Sequence, residues 1–295
     1  MFLKCITTVL LIVASGYSIN VKKQVIAFDY YHHNETPQKY AISDTGLLGY
    51  SIWTKIILSQ GADTLSIKKS IDSQSLAAVS MLVIVDPDTT SENPNPKFIQ
   101  SSEITAIEKW VQAGGKLLLL ANNAKNCEFT NFNLLANKFG VKFNGDNYGS
   151  TYYLAPLPNH PFFAGCDTVF IKDISTLSVL PPAEVIFKLN NKNIMALTKF
   201  GKGIVFSLGD PWAYNEYMGN GDNIKALTNI TKWFLDQQTN TQNNKKLQNP
   251  IVNISMQSEI KNKSFLLNGK LVSPWIMKNS DFQNVSPAFI IKEKK

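Results

Sequence analysis

The feature that most narrows the folds open to this chain is the run of four consecutive leucines in KLLLLAN (116–122). A strand with one wet face alternates apolar and polar residues, whereas a strand covered by helices on both faces reads as a continuous apolar stretch. VIAFD (25–29) and MLVIVD (81–86) have the same continuous character, and TLSI (64–67) reads as a further strand. Between them the apolar residues recur at helical spacing. Leu48, Ile52, Trp53, Ile56 and Ile57 form one such set, running up to Gly61, and QSLAAVS suits a short helix. SSEITAIEKWVQAGG predicts another helix: Ser101 or Ser102 is placed to cap it, Glu103 suits its first turn, Ile104, Ile107 and Val111 face inward, and Gly114–Gly115 end it. The order is βαβαβαβ, which predicts an α/β fold with a doubly wound, mostly parallel sheet and helices on both faces.

The second half changes character. Phe132, Leu135, Ala136 and Phe139 fit one more helix ended by Gly140, after which strands crowd together: VKF, TVFIKD, STLSV, EVIFKL, NIMALTKF and GIVFSLGD. Asn190 to Asn193 reads as a hairpin turn, and a last helix covers Asn223 to Leu235. An antiparallel extension of the parallel sheet is expected. Residues 1–18 carry Lys4, an apolar run from Ile6 to Val13 and small residues after it, the pattern of a cleaved export signal. The run is shorter than the roughly 20 residues a membrane helix needs. A secreted or periplasmic protein is therefore expected, with no membrane span in its mature form. The expected organisation is a main α/β domain over 19–236, a polar linker over 237–250 (DQQTNTQNNKKLQNP spans it), and an appendage over 251–295 with β-like pieces SFLLNGKLV and AFIIK.

Charge limits the partners. The net charge is +7, and after Gln237 nine lysines face only Glu259, Asp281 and Glu293, so six of the seven excess charges lie in the last segment. A nearly neutral main domain lacks the basic face that binds nucleic acid, and no nucleic-acid partner is expected. Once Cys5 leaves with the signal, Cys127 and Cys166 remain; one disulfide and two free thiols are both open readings. The three histidines, His32, His33 and His160, form no zinc-ligand spacing, and neither a metal nor another cofactor is expected. No Gly-x-Ser-x-Gly or Gly-x-Cys-x-Gly elbow is present, and no glycine-rich loop follows a strand, so nucleophilic and phosphate-binding sites are not expected.

What remains is carboxylates, amides and aromatics. In open α/β sheets, ligands bind beyond the carboxyl ends of the strands. VIAFD leads to Asp29, His33, Asn34 and Glu35; MLVIVD to Asp86 and Asp88; KLLLLAN to Asn122, Asn123 and Glu128; GIVFSLGD to Asp210, Trp212, Tyr214, Asn215 and Glu216. Each has a duller reading: Asp before Pro starts turns, Asn caps helices, and Trp fills cores. Convergence of four loops on one edge favours a shared polar pocket. Paired acids with stacking aromatics suit sugar binding or glycoside chemistry. Asp210, Glu216 and Glu128 are the acid/base candidates; the other acids and amides, with His33, would hold hydroxyls, and Trp212 and Tyr214 would stack. The rival expectation is a catalytically silent interaction module whose loops only brace one another.

HPFFAG (160–165), KFGKGIVFSLGD (199–210) and the closing ITKWFL resemble the trehalose-utilisation-like branch of the class I glutamine-amidotransferase-like fold. FDYYHHNE, IVDPDT, NPNP, WVQAGGKLLLLANN, NCEFTNFNLLANKFGVKFN and GDPWAYNEY resemble the flavodoxin-like domain appended to unsaturated rhamnogalacturonyl hydrolases of pectin-degrading bacteria. The resemblance spans about Val25 to Leu235. It implies a carbohydrate ligand derived from pectin and association with a glycoside hydrolase. It does not imply amidotransferase activity, because no position matches the Cys nucleophile elbow. Asp210 also stands where the trehalose-utilisation-like pattern has a His, and the (α/α) hydrolase domain is not in this sequence.

Overall fold

The computed structural model describes residues 23–34, 39–149 and 151–237, and the backbone of two short strands at 265–267 and 270–272. The expected export signal, Glu35, AFIIK and all of the linker but Gln237 lie outside the described residues. The chain divides into two units, Met1–Thr239 and Asn240–Lys295.

In the first unit, β1 (Val25–Asp29), α1 (Ser51–Ser59), β2 (Asp63–Ile67), α2 (Ser73–Leu76), β3 (Met81–Val85), α3 (Ser101–Gln112), β4 (Lys116–Leu120) and α4 (Phe129–Ala136) follow in order. Six strands come next: β5 (Val141–Phe143), β6 (Thr151–Leu154), β7 (Val169–Lys172), β8 (Leu177–Val179), β9 (Ala183–Leu189) and β10 (Lys192–Phe200). β11 (Gly203–Leu208), α5 (Asn215–Met218) and α6 (Asn223–Asp236) close it. One seven-stranded sheet has the order β2-β1-β3-β4-β11-β10-β9. The pairs from β2 to β11 are parallel; β10 and β9 add antiparallel to that edge.

The leucine run is explained by two separate cores, one on each face. Leu118 and Leu120 point to the side holding Trp53 and Ile57 of α1 and Phe234 of α6, with Ile26, Phe28, Val83 and Phe206. Leu117 and Leu119 point to the side holding Ile104 and Ile107 of α3 and Phe132 of α4, with Ala27, Leu82 and Val205. Successive side chains of a strand face opposite ways, so an element buried on both sides has to be apolar throughout.

The antiparallel part is less unified than expected. VKF pairs with STLSV as a β5–β8 ribbon, and TVFIKD pairs with β6, a strand that Thr151–Leu154 gave no sign of. Only β9 and β10 extend the main sheet, joined by Asn190 and Asn191 at φ +46° and +66°, the geometry of a two-residue hairpin. The cap of α3 also differs: the N-cap is Gln100, whose N–H donates to Glu103 Oε2 at 2.8 Å. Cys127 and Cys166 are free thiols. Among the described residues no helix is long and apolar enough to cross a membrane. In the second unit, β12 (Phe265–Leu267) and β13 (Lys270–Val272) form an antiparallel pair within SFLLNGKLV.

Candidate functional site

Because β1, β3, β4 and β11 run parallel, their carboxyl ends share one edge of the sheet. The loops after β3, β4 and β11 meet at Asp86. Its Oδ1 accepts the Asn122 N–H at 2.9 Å, and its Oδ2 accepts the Tyr214 hydroxyl at 3.4 Å. A pocket of about 270 Å³ opens there. Its walls come from His33 and Tyr40 after β1, Asp86 and Glu92 after β3, Asn122 and Asn126 after β4, Lys172 and Asp173 at the end of β7, and Pro211, Tyr214, Glu216 and Tyr217 after β11, with Leu48.

Five of the expected site residues reach this pocket: His33, Asp86, Asn122, Tyr214 and Glu216. Eight others are spent on internal bonds. Asp29 accepts the N–H of Tyr31 and His32 at 3.0 and 3.3 Å and holds His32 Nδ1 at 2.6 Å. Asp88 Oδ2 accepts from Asn34 N–H at 3.1 Å and Asn93 Nδ2 at 2.6 Å, and Asn34 Nδ2 donates to Tyr31 O at 2.8 Å. Asn123 Oδ1 accepts Lys125 N–H at 3.0 Å, closing a turn.

Three of the remaining four concern the acid/base and stacking roles. Glu128 caps α4, accepting the N–H of Thr130 at 2.7 Å and of Asn131 at 2.9 Å, so its carboxylate serves orphan helix donors and is no catalyst. Asp210 is wholly buried, accepts Lys172 N–H at 2.7 Å and lies against the Tyr217 hydroxyl, behind the pocket wall. Trp212 is 2% exposed and its indole N–H donates to Phe170 O at 3.0 Å, which leaves no open face for stacking. Asn215 ties the 44–52 segment to α5: Oδ1 accepts Ile52 N–H at 3.0 Å, and Nδ2 donates to Gly46 O at 2.8 Å and Asp44 O at 3.1 Å.

Several pocket residues escaped the strand-end search. Lys172 and Asp173 end an antiparallel strand, where the parallel-sheet rule does not look, and Tyr40 is carried in from the loop before α1. Tyr217 sits in GDPWAYNEY itself, one residue past Glu216.

The electrostatics of the pocket follow from burial. Desolvation holds Asp86 well above the usual carboxylate range, aided by the charge of Asp210. Burial pushes the His33 ring down to about 4, leaving it neutral; one ring nitrogen bonds the Val85 carbonyl and Nδ1 has no partner. Asn122, also buried, has an Oδ1 without a donor. Lys172 Nζ pairs with Glu216 Oε1 at 2.8 Å and stands 5.2 Å from the centre of the Tyr217 ring. Rings form one wall: His33 stacks on Tyr40 at 3.8 Å, and Tyr40 lies 5.5 Å from Tyr214.

The backbone is also strained here. Among the described residues five non-glycines have φ between +35° and +66°; Asn190 and Asn191 make the hairpin turn, and the other three, Tyr40, Asp86 and Asp173, all line this pocket. Such conformations cost about 1–3 kcal/mol each and persist where the surrounding structure dictates them.

No protein-family model matches the chain, and no curated protein matches it. Solved structures do. The mmIFT52 N-terminal domain superimposes with a TM-score of 0.56 at 20% identity, over 72% of this chain and 97% of its own. Cytoplasmic protein STM3548 from Salmonella typhimurium gives 0.51 at 15% identity, over 71% of this chain and 98% of its own. A ThuA-like protein from Bacteroides uniformis gives 0.49 at 13% identity, over 75% of this chain and 94% of its own. These likenesses concern the α/β fold.

Proposed function

We propose that this domain binds a sugar residue, at the end of a plant-polysaccharide fragment, in the pocket at the carboxyl ends of β3, β4 and β11. The observation that carries the reading is the concentration of strain: three residues from three different loops hold left-handed backbone around one cavity. A fold has no packing reason to gather such costs in one place, whereas a preorganised ligand site does. At about 270 Å³ the cavity is just smaller than the pockets that take drug-sized ligands, which begin near ~300 Å³. One polar ring suits that size. Unpartnered acceptors at His33 Nδ1 and Asn122 Oδ1 supply hydrogen-bonding positions, and the Tyr40–Tyr214 wall supplies an apolar face.

The resemblance to the domain appended to unsaturated rhamnogalacturonyl hydrolases supports a pectic source and work alongside a secreted glycoside hydrolase. If the site turns its ligand over, Asp86, whose carboxyl burial holds above the usual range, is the candidate acid and Glu216, paired with Lys172, the candidate carboxylate.

A second reading is favoured by the eight expected residues spent on internal bonds. A silent interaction module needs loops that brace one another, and Asp29, Asp88, Glu128 and Asn215 do brace.

The test is calorimetric titration of the full chain with a panel of pectic oligosaccharides, with product analysis of each mixture. Binding is expected, weakened about five- to ten-fold by Asn122→Ala, which removes a ligand hydrogen bond. A wild type inert across the panel would favour the silent module.

A further inference from the structure

The pocket's charges, and two of its three unpartnered polar atoms, lean toward acceptors and carboxylates; the third unpartnered atom is the Tyr217 hydroxyl. His33 Nδ1 and Asn122 Oδ1 are buried acceptors without donors, on residues each 6% exposed. Glu92, Asp173 and Glu216 add carboxylates at the wall. Among the described residues the single cation there, Lys172, is already committed: its ammonium holds Glu216 at 2.8 Å and lies over Tyr217. The chain contains no arginine at all, the residue whose planar fork grips a carboxylate through two hydrogen bonds. A ligand that fills such a site must bring donors, and an anionic group on it would meet like charge with nothing to neutralise it.

We propose that the pocket takes a donor-rich ligand without an anionic group, preferring an amino sugar to the neutral parent sugar and the neutral sugar to the uronate. This rests on reading the pocket as a sugar site. Asp173 sets the preference most directly. It lines the same pocket as the Lys172–Glu216 pair and follows Lys172 in sequence, so these three lining residues bring two carboxylates against one ammonium. The Tyr40 and Tyr214 rings present the electron-rich surface that also suits an ammonium group. Among pectic units, the neutral sugars would then be the ones bound, and the galacturonate backbone would be left out.

The experiment is ligand-observed NMR on the full chain with matched sets: glucose, galactose and mannose, their 2-amino counterparts, and glucuronate and galacturonate. The expected order is amino sugar tightest and uronate weakest within the set that binds. Asp173→Asn, a replacement that tolerates the left-handed backbone of that position, is expected to reduce the amino-to-neutral preference about five-fold, the effect of one partly screened charge. A uronate bound as well as its neutral parent, or a preference untouched by Asp173→Asn, would overturn the inference and leave sugar binding standing. Silence from every sugar here and from the pectic panel would overturn both.

Discussion

His32 is the most heavily engaged side chain near the pocket, although it does not line it. Its ring is fully buried between two carboxylates, with Nδ1 at 2.6 Å from Asp29 Oδ2 and Nε2 at 3.3 Å from Glu103 Oε2. Burial alone would lower its pKa; the charges and hydrogen bonds of Asp29 and Glu103 outweigh that and raise it to about 10. Glu103 is opposed by burial too, yet the bonds from His32 and from the N–H groups of Gln100 and Ile71 bring it down to about 2. The cluster therefore ties the loop that presents His33 to the start of α3 and to the segment before α2. The signs are opposite for the two groups. The His32 contribution is complete below its ordinary 6.5 and is lost as pH rises through about 10; that of Glu103 is complete above its ordinary 4.5 and is lost as pH falls through about 2. Thermal unfolding followed across pH 2–11 should show both flanks. His32→Leu strands two buried carboxylates and should cost about 3–5 kcal/mol, as removal of one member of a buried ion pair does. A variant as stable as wild type, with an unchanged alkaline flank, would contradict this account.

The elements that sequence revealed best are those whose burial is simplest. β1, β3 and β4 are apolar because both of their faces are covered, and α3 shows its inward face in Ile104, Ile107 and Val111. The ribbons were harder to place, because β5, β6, β7 and β8 pair only in twos and their partners are fixed by tertiary contacts rather than by their own pattern. The site divides along the same line. Sequence pointed to the strand-end edge at which the pocket opens, but an Asp or Asn at a strand end looks the same whether it faces a cavity or a backbone N–H, as Asp86 and Asp29 show. Gly209, between β11 and Asp210, illustrates a demand written in the residue type alone. A Cβ there would collide with the carbonyl oxygen of Ser175, whose N–H donates to Gly209 O at 2.9 Å. Backbone cannot yield as a flexible side chain does. Gly209→Ala should destabilise the fold by at least about 1–3 kcal/mol, the usual cost of overpacking, as read in urea unfolding. Gly219→Ala, where no atom lies within 4 Å of the added carbon, is the matched control and should cost less.

Over the whole molecule, charge is partitioned more sharply than composition suggests. Nine lysines and three acids follow Gln237, while the residues before it are close to balanced. In the first unit, surface lysines have acids nearby, as in Lys23–Asp63, Lys225–Asp222 and Lys232–Asp236, so much of their field is cancelled within a Debye length of about 10 Å. A segment with nine lysines to three acids carries most of the net charge and should dominate attraction to any polyanionic surface. Two quadruple variants with the same net charge separate location from total. Replacing Lys245, Lys246, Lys261 and Lys263 with Gln should lower the salt needed to elute the protein from a sulfonated resin more than replacing the exposed Lys55, Lys68, Lys69 and Lys202. Equal shifts would mean that only the total charge matters. Retention unchanged by the first set would mean that the basic segment does not meet the surface. After the second set, pocket affinity for a neutral sugar should stay at the wild-type value, because Lys55, Lys68, Lys69 and Lys202 do not line the cavity.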